Sequence, residues 1–337
     1  MVRLNNVGKY DFFQGKSGSI DPAVLRDSLR KMLLIRHFET RGEMAYQQGK
    51  VGGFYHSYAG QEAIQVGCVA AAGRKHWYAT TYRCHALALL LGAEPNAMMA
   101  ELYGRATGVA KGLGGSMHMY ADHLLGGLAI VGGHVPIATG AAFSIQYLEQ
   151  KGLVSFCFMG DGAVVQGAVH ESLNLAMLWN LPCIYVIENN QWGMGTAVKR
   201  AVAVEPIAEN LAKAYGMKSY TLDGMDFFNC YAGFQDAVNY VVQNSKPVLI
   251  EAVTERFRGH SISDPGLYRT KEQLQETMQR DPILLLKHAM QEKKLLTEEE
   301  FKRMDEEIKA IVIAAMKFAD ESPWPDPMTL EDGVFDV

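Results

Sequence analysis

The chain has 337 residues, 48% of them hydrophobic, and a formal net charge of −5 at pH 7. A chain of this length can bury a large hydrophobic core, and its weakly acidic balance argues against nucleic acid as a partner. No apolar run reaches the roughly 18 residues of a membrane helix, and the start MVRLNNVGKYDFFQ resembles neither a secretory signal nor a transit peptide. The five cysteines form no CxxC pair, so we expect a cytoplasmic protein that contacts no membrane and needs no disulfide.

The first part of the chain has the pattern of helices and irregular segments. An Asp-Pro pair is a typical helix start, and the apolar residues after it recur at helical spacing, which predicts a helix over about 22–50. Further helices are predicted near 61–72 and over about 84–102. The segment 104–136 is rich in glycine and contains the run KGLGGSMHMY. We predict a long functional loop there, since long irregular segments inside compact chains are usually functional or disordered.

The middle of the chain alternates between strands and helices. VSFCFM (154–159) and CIYVIE (183–188) are short apolar runs typical of strands buried on both faces, and a helix over about 167–179 lies between them. Such a unit has parallel strands. The alternation continues with helices near 206–216 and 228–243 and strands near 218–222 and 247–253. The predicted fold is therefore α/β, a doubly wound and mainly parallel sheet flanked by helices.

We expect a single domain over residues 1–337 with helical extensions at both ends. In the C-terminal part, Thr297 and Glu300 form a capping box before apolar positions at helical spacing, and the proline-rich tail from Ser322 is predicted to be extended. The expected parts are a helical N-terminal segment at about 20–50, an α/β core at about 51–255, a polar loop at about 256–272 and a helical C-terminal segment at about 273–337.

Polar residues follow two successive predicted strands. Gly160-Asp161-Gly162 comes directly after the first, and Asn189-Asn190 ends the second. Ligands of open α/β sheets bind outside the carboxyl ends of the strands. A carboxylate and an amide oxygen suit Mg²⁺, which takes its other ligands from carbonyls, phosphate and water. Each motif alone is an ordinary turn, but their order at successive strand ends predicts a metal and phosphate site.

This pair of motifs resembles the thiamine diphosphate signature. The similarity extends over nearly the whole chain, because four further segments resemble the α-subunit family of thiamine-dependent 2-oxo acid dehydrogenases and, within it, the pyruvate branch. These segments are YHSYAGQEA, KGLGGSMHMY, ENNQWGMGT and RGHSISDPGLYRT. The resemblance implies thiamine diphosphate and Mg²⁺ as cofactors, with the side chains of Asp161 and Asn190 and the main-chain carbonyl of Trp192 as metal ligands.

The resemblance also assigns the remaining contacts of the cofactor. Arg83 suits a diphosphate because its planar fork binds phosphate oxygens in pairs. Trp192 replaces a residue that is often Tyr in the family, and Ala129 one that is often Gly. The implied cofactor contacts are His56, Tyr82, Arg83, Ala129, Val131, Asp161, Gly162, Ala163, Asn190, Trp192, Arg256 and His260.

Histidines carry the proton chemistry that the resemblance implies. His260, in the loop RGHSISD, is expected to position intermediates, because a histidine that titrates near neutrality can donate or accept a proton. His85 is expected to be a second catalytic residue, with a structural hydrogen-bond role as the alternative for both His85 and His56, whereas His118 and His134 are expected to be structural. Ser261 matches a serine that is phosphorylated in mitochondrial relatives, but the loop is shorter here, so we predict that no kinase regulates it.

The implied activity is that of the α subunit of pyruvate dehydrogenase (acetyl-transferring). It would decarboxylate pyruvate oxidatively and transfer acetyl to a lipoyl domain of the dihydrolipoamide acetyltransferase component. The chain has room for one cofactor-binding module, so the activating glutamate is expected on a separate β subunit, in a tetramer of two α and two β chains. Acetoin and branched-chain 2-oxo acid dehydrogenases remain alternatives, and a non-enzymatic regulator that binds a phosphate ligand is a more distant one.

Overall fold

The computed structural model describes residues 10–16, 18–332 and 334. Its centre is a six-stranded sheet with all neighbours parallel, in the order β2-β1-β3-β4-β8-β7, accompanied by a short antiparallel ribbon of β5 and β6. The strands are β1 (Trp77–Thr81), β2 (Leu124–Leu128), β3 (Ser155–Gly160), β4 (Cys183–Asn189), β5 (Trp192–Gly193), β6 (Thr196–Ala197), β7 (Lys218–Asp223) and β8 (Val248–Val253).

The three central strands β3, β4 and β8 are buried almost throughout, as their unbroken apolar runs predict for a sheet covered on both faces. The helices are α1 (Pro22–Gln47), α2 (Glu62–Ala72), α3 (His85–Leu91), α4 (Pro95–Leu102), α5 (His134–Tyr147), α6 (Gly167–Leu178), α7 (Val198–Ala201), α8 (Ile207–Tyr215), α9 (Phe227–Asn244), α10 (Lys271–Met278), α11 (Pro282–Glu292) and α12 (Glu298–Glu321). The predicted α/β fold is thereby confirmed.

The helices cover the two faces of the sheet and form two separate hydrophobic clusters. On one face α2 packs against α9, and α1 and α4 pack against α12; on the other, α5 covers β1 and β3, α6 packs against α5, and α8 covers β7 and β8. The contact of α2 with α9 needs a glycine, because a Cβ on Gly67 would lie 2.7 Å from the Cβ of Cys230. Within the described residues, no helix is long and apolar enough to cross a membrane.

Two sequence-based predictions differ from the structure, and one strand was not predicted. The helix expected over 84–102 is two helices, because Gly92 has a φ of 109° at the end of α3 and Pro95 starts α4. The segment 104–136 is not entirely a loop. It contains β2 and the first residues of α5, and the strand β1 was not predicted. β2 is an edge strand with the sequence LLGGL, and glycine pairs are poor strand signals.

The glycine-rich loop after α4 wraps around a carboxylate of the protein itself. Glu101 is fully buried and accepts main-chain hydrogen bonds from Ala110 and Gly112 at one oxygen and from Gly114 and Gly115 at the other, at 2.6–3.1 Å. A Cβ on Gly114 would lie 2.3 Å from a main-chain oxygen of the same loop. The glycines are therefore required by the folding of the loop around Glu101.

Candidate active site

The carboxyl ends of four parallel strands meet at one edge of the sheet and carry the predicted polar residues. Arg83 follows β1, Asp161 follows β3, Asn190 follows β4 and Arg256 lies beyond β8. Gly160 pairs with Glu188 in the register of β3 and β4, so the two metal-ligand candidates leave the sheet side by side. The strand order reverses between β1 and β3, and ligands of such sheets bind at this point.

A cavity of about 310 Å³ opens at this edge. Most of the predicted site residues line it, but the predicted cofactor contacts Ala129 and His56 and the predicted catalytic residue His85 do not. The predicted residues in its wall are Tyr82, Arg83, Val131, Asp161, Gly162, Ala163, Asn190, Trp192, Arg256 and His260. The wall also contains residues that were not predicted, namely Gln61, Thr81, Leu128, Ile130, Gly132, His134, Gly160, Glu188, Gly193, Met194, Thr196, Val198, Ala201 and Val202.

The carboxyl group of Asp161 is deeply buried in the wall, and the residue is 2% exposed. Burial raises its pKa from 3.8 to about 6, against the opposing effects of Arg256 and of main-chain amides at Asp161 and Asn190. Gly162 and Gly193 both line the cavity beside it, and a Cβ on Gly162 would approach Gly193 Cα at 3.4 Å. The site thus offers an incompletely compensated carboxylate in a cradle of bare backbone, which suits a bound cation.

The two asparagines at the end of β4 have different tasks. The amide of Asn189 faces away from the cavity, where it donates to Glu251 Oε1 at 2.7 Å and accepts from the Gln191 main-chain N–H at 3.0 Å. Asn190 lines the cavity and its Oδ1 accepts from the Trp192 main-chain N–H at 3.3 Å. Asn189 therefore holds the turn, in which Gln191 has a φ of 70°, and Asn190 is the residue available to a ligand.

Two buried arginines provide the positive charge of the site. Arg83 donates to the main-chain carbonyls of Ser57 at 2.6 Å and His260 at 2.9 Å. Arg256 donates to Met194 O at 3.3 Å and to the Tyr268 hydroxyl at 3.1 Å. Its Nε is buried and has no hydrogen-bond partner. Burial, and then Arg83, lower the pKa of Arg256 to about 10, so an anion between the two guanidinium groups would be stabilised.

His260 is neutral at pH 7 in this structure, which corrects the expectation that it titrates near neutrality. Burial, followed by Arg83 and Arg256, lowers its pKa to about 4. Arg256 can only donate, and its Nη1 lies 3.2 Å from His260 Nδ1, so Nδ1 is the acceptor and Nε2 carries the hydrogen. The loop is closed by Asp264, which accepts from the His260 main-chain N–H at 2.6 Å and from the Tyr268 hydroxyl at 2.7 Å.

The other two predicted histidines lie behind the wall. His56 packs against Tyr82 and His260, with ring centroids 4.4 and 5.0 Å apart, and burial followed by Arg83 lowers its pKa to about 2. His85 has no exposed surface. Its Nδ1 lies 3.1 Å from Glu39 Oε1 and its Nε2 3.0 Å from Ser116 O. Both nitrogens are engaged away from the cavity, so His85 holds the glycine-rich loop at Ser116 and does not line the cavity.

Three of the unpredicted wall residues carry polar side chains that matter for the site. Gln61 accepts from Asn190 Nδ2 at 3.2 Å. Glu188 accepts from the Tyr58 hydroxyl and from Gln65 Nε2, and burial raises its pKa to about 7. His134 donates to Phe158 O at 2.8 Å, which fits its predicted structural role. The sequence offered one signal each for Gln61 and Glu188: Gln61 lies within YHSYAGQEA, and Glu188 precedes the asparagine pair.

Comparison with known proteins shows the family of the chain. The sequence profile of the dehydrogenase E1 component family matches residues 30–328. The chain therefore belongs to the dehydrogenase E1 component family, whose members generally depend on thiamine diphosphate and form complexes of α and β subunits.

Several curated relatives carry the name of one particular member of this family. The chain is 42% identical over 310 residues to the pyruvate dehydrogenase E1 component subunit alpha of Rickettsia felis, covering 91% of this chain and 94% of the relative. It is 41% identical over 321 residues to the same subunit of Rhizobium meliloti, with 94% and 92% covered. The mitochondrial subunit of Kluyveromyces lactis is 40% identical over 299 residues, with 88% and 72% covered.

Proposed function

We propose that this chain is the α subunit of a pyruvate dehydrogenase (acetyl-transferring) and that it binds thiamine diphosphate through Mg²⁺ in the cavity described above. The observation that carries the proposal is the joint position of Asp161 and Asn190 at the ends of adjacent strands, opposite Arg83 and Arg256. The names of the relatives favour pyruvate over other 2-oxo acids. The acetyl product of such an enzyme supplies acetyl-CoA from the pyruvate that glycolysis delivers.

The metal would be held by the side chains of Asp161 and Asn190 and by the main-chain carbonyl of Trp192. Mg²⁺ requires six oxygen ligands, and within the described part of the chain no group of three or more His, Cys, Asp or Glu residues could hold a metal by itself. The protein therefore provides about half of the ligand set. A diphosphate that supplies the missing oxygens explains why the arginines lie beside the metal ligands.

The cofactor's diphosphate would lie against Tyr82 and Arg83 and along the backbone of Gly162 and Ala163, with its rings towards the β2 end, where Ala129 and Val131 follow the strand. Thiamine diphosphate supplies the electron sink for decarboxylation. The residues of this chain would bind and orient it, and burial of the site would exclude water.

His260 would hold a proton at Nε2, facing the substrate side, while Arg256 fixes its other nitrogen. A substrate carboxylate near Arg256 and Arg83 would offset the two positive charges that lower the pKa of His260, so its pKa would rise when the substrate binds. His56 would support His260 by ring packing. His85 has no role in this proton transfer.

A β subunit would complete the site. Ile130 and Val131 belong to the cavity wall yet are 75% and 48% exposed, and apolar surface of this kind at a binding site indicates a covering partner. Glu188 is the second carboxyl group of the wall, but its hydrogen bonds to Tyr58 and Gln65 hold it beside Asn190. The carboxylate that activates the cofactor would come from the β chain of a tetramer of two α and two β subunits, which then transfers acetyl to a lipoyl domain.

Dye-coupled turnover tests the proposal. The chain would be co-expressed with its β partner and assayed with thiamine diphosphate and Mg²⁺ on pyruvate, acetoin and branched 2-oxo acids. We expect a preference for pyruvate and no turnover by the α chain alone. Preference for acetoin or a branched acid would retain the site and change the substrate. Activity of the α chain without a partner, or binding of the cofactor without turnover of any acid, would refute the proposal.

A further inference from the structure

The carboxamide of Gln61 lies directly behind the candidate metal ligand Asn190. Gln61 is 1% exposed and borders the cavity. It occupies the N-cap position of α2, where polar side chains usually accept from the first amides of the helix, yet its side chain makes no such bond. Its oxygen instead accepts from Asn190 Nδ2 at 3.2 Å.

The hydrogen-bond partners determine which atom of each amide is oxygen. The main-chain N–H of Trp192 can only donate, so the Asn190 atom that lies 3.3 Å from it must be Oδ1. The other end of that amide is then Nδ2, and its partner on Gln61 must be an acceptor. Gln61 and Trp192 thus fix the amide of Asn190 from both ends.

The segment that carries Gln61 is itself attached to the end of β4. Tyr58 and Gln65, three residues before it and four after, both donate to the carboxylate of Glu188. Glu188 is two residues before Asn190 on the same strand end. The position of Gln61 relative to Asn190 is therefore set by neighbouring contacts and does not depend on its own hydrogen bond.

We propose that Gln61 is a positioning residue for the metal site: it holds the Asn190 amide with Oδ1 available to the cation and Nδ2 turned away. The inference rests on the proposed function, since it assigns Asn190 to a metal. An amide flipped by 180° would present its N–H groups to the cation and repel it. Partners of this kind, which orient a ligand without touching the metal, typically change metal affinity by about 10–100-fold when removed.

The proposal can be tested without turnover by measuring how tightly Mn²⁺ binds to the α–β complex in the presence of thiamine diphosphate. Electron paramagnetic resonance reports the concentration of the free ion. Gln61→Met keeps the length of the side chain and removes the acceptor, and should weaken Mn²⁺ binding by about 10–100-fold. Gln61→Glu keeps an acceptor for Asn190 Nδ2 and should bind Mn²⁺ at least as tightly as wild type. Gln65→Met removes a buried amide of the same helix but leaves Tyr58 to attach the segment to Glu188, so it serves as the matched control.

The Asn190→Asp background provides the decisive comparison. A carboxylate presents an oxygen to the cation in either orientation, so Gln61→Met should lose most of its effect there. Equal Mn²⁺ affinity of Gln61→Met and wild type, a loss in Gln65→Met as large as in Gln61→Met, or an undiminished effect in the Asn190→Asp background would each overturn the role of Gln61. Failure of the wild-type complex to bind Mn²⁺ with thiamine diphosphate would instead refute the proposed function.

Discussion

The substitution Asp161→Asn should have opposite effects on the stability of the cofactor-free and the cofactor-loaded protein. In the cofactor-free protein the buried carboxyl group of Asp161 has a pKa of about 6, above its ordinary 3.8. A raised pKa of an acid means that folding penalises the charged form. The stability contributed by this group is complete below pH 3.8 and is lost as the pH rises through 6, at a cost of about 3 kcal/mol at pH 8.

Asparagine has the same size and no charge to bury, so the cofactor-free variant should be more stable than wild type by up to about 3 kcal/mol at pH 8. At pH 5 the wild-type carboxyl group is mostly protonated, and the difference should fall to about half. In the presence of ligand, wild type should become the more stable of the two proteins. Thiamine diphosphate and Mg²⁺ at about a thousand times their Kd would stabilise wild type by about 4 kcal/mol, whereas the variant, without the anionic ligand, would gain little.

The measurement is the Tm of the α–β complex at pH 5 and pH 8, after removal of metal with a chelator and again after addition of cofactor and Mg²⁺. Asp226→Asn is the matched control, because Asp226 caps α9 away from the cavity and asparagine caps helices as well as aspartate does; it should respond to ligand like wild type. Two outcomes would refute the reasoning. One is a metal-free Asp161→Asn complex whose Tm at pH 8 is below that of wild type, and the other is an increase in Tm on ligand addition as large as that of wild type.

Three further predictions concern the loops that follow α4, β4 and β8. Glu101→Gln replaces an oxygen that accepts two main-chain N–H groups by a donor, so we expect a loss of about 2–4 kcal/mol in the free energy of unfolding, seen in thermal unfolding; an unchanged Tm would contradict it. Tyr268→Phe removes the bonds to Arg256 and Asp264 and should speed proteolysis of the cofactor-free 256–272 loop about 5–30-fold, whereas equal cleavage rates would exclude this role. Trp192→Tyr should leave cation binding unchanged because only the main-chain carbonyl is used, and a tenfold loss would show that the indole ring, 4.7 Å from the Tyr268 ring, also matters.

The sequence predicted the parts of the fold in which local and tertiary preferences agree. The apolar runs of β3, β4 and β8 are buried on both faces, and α12 begins at the predicted capping box of Thr297 and Glu300. β1 and β2 were missed because the sheet stabilises them through their neighbours: Tyr78 pairs with Phe156 on one side and Leu124 on the other. Such pairings join residues far apart in the chain and leave little trace in a short segment.

In the candidate site, too, residues marked by local patterns were predicted and features that depend on tertiary contacts were not. Asp161 and Asn190 were predicted because they follow strands directly, and strand ends are read from local patterns. Gln61, which contacts Asn190 from 129 positions away, was not. The charge state of His260 could not be predicted either, because it depends on the burial and the two arginines that tertiary structure assembles around it. His85 lies within a site motif, yet it contacts Glu39 and Ser116 and does not line the cavity, a placement that local sequence does not reveal.

The loop around Glu101 has a consequence for how glycine-rich segments are interpreted. Proteins often bind phosphate in a concave arc of main-chain N–H groups, and in this chain such an arc is occupied permanently by an internal anion. Glu101 thus takes the place of a bound anion. Because it belongs to the same chain, its effective concentration beside these amides exceeds that of a free anion. Glu101 supports the shape of the loop from within the protein, and the loop places Ser116 against His85. A glycine-rich segment in a sequence can therefore mark a place where main-chain amides bind a side chain of the same protein.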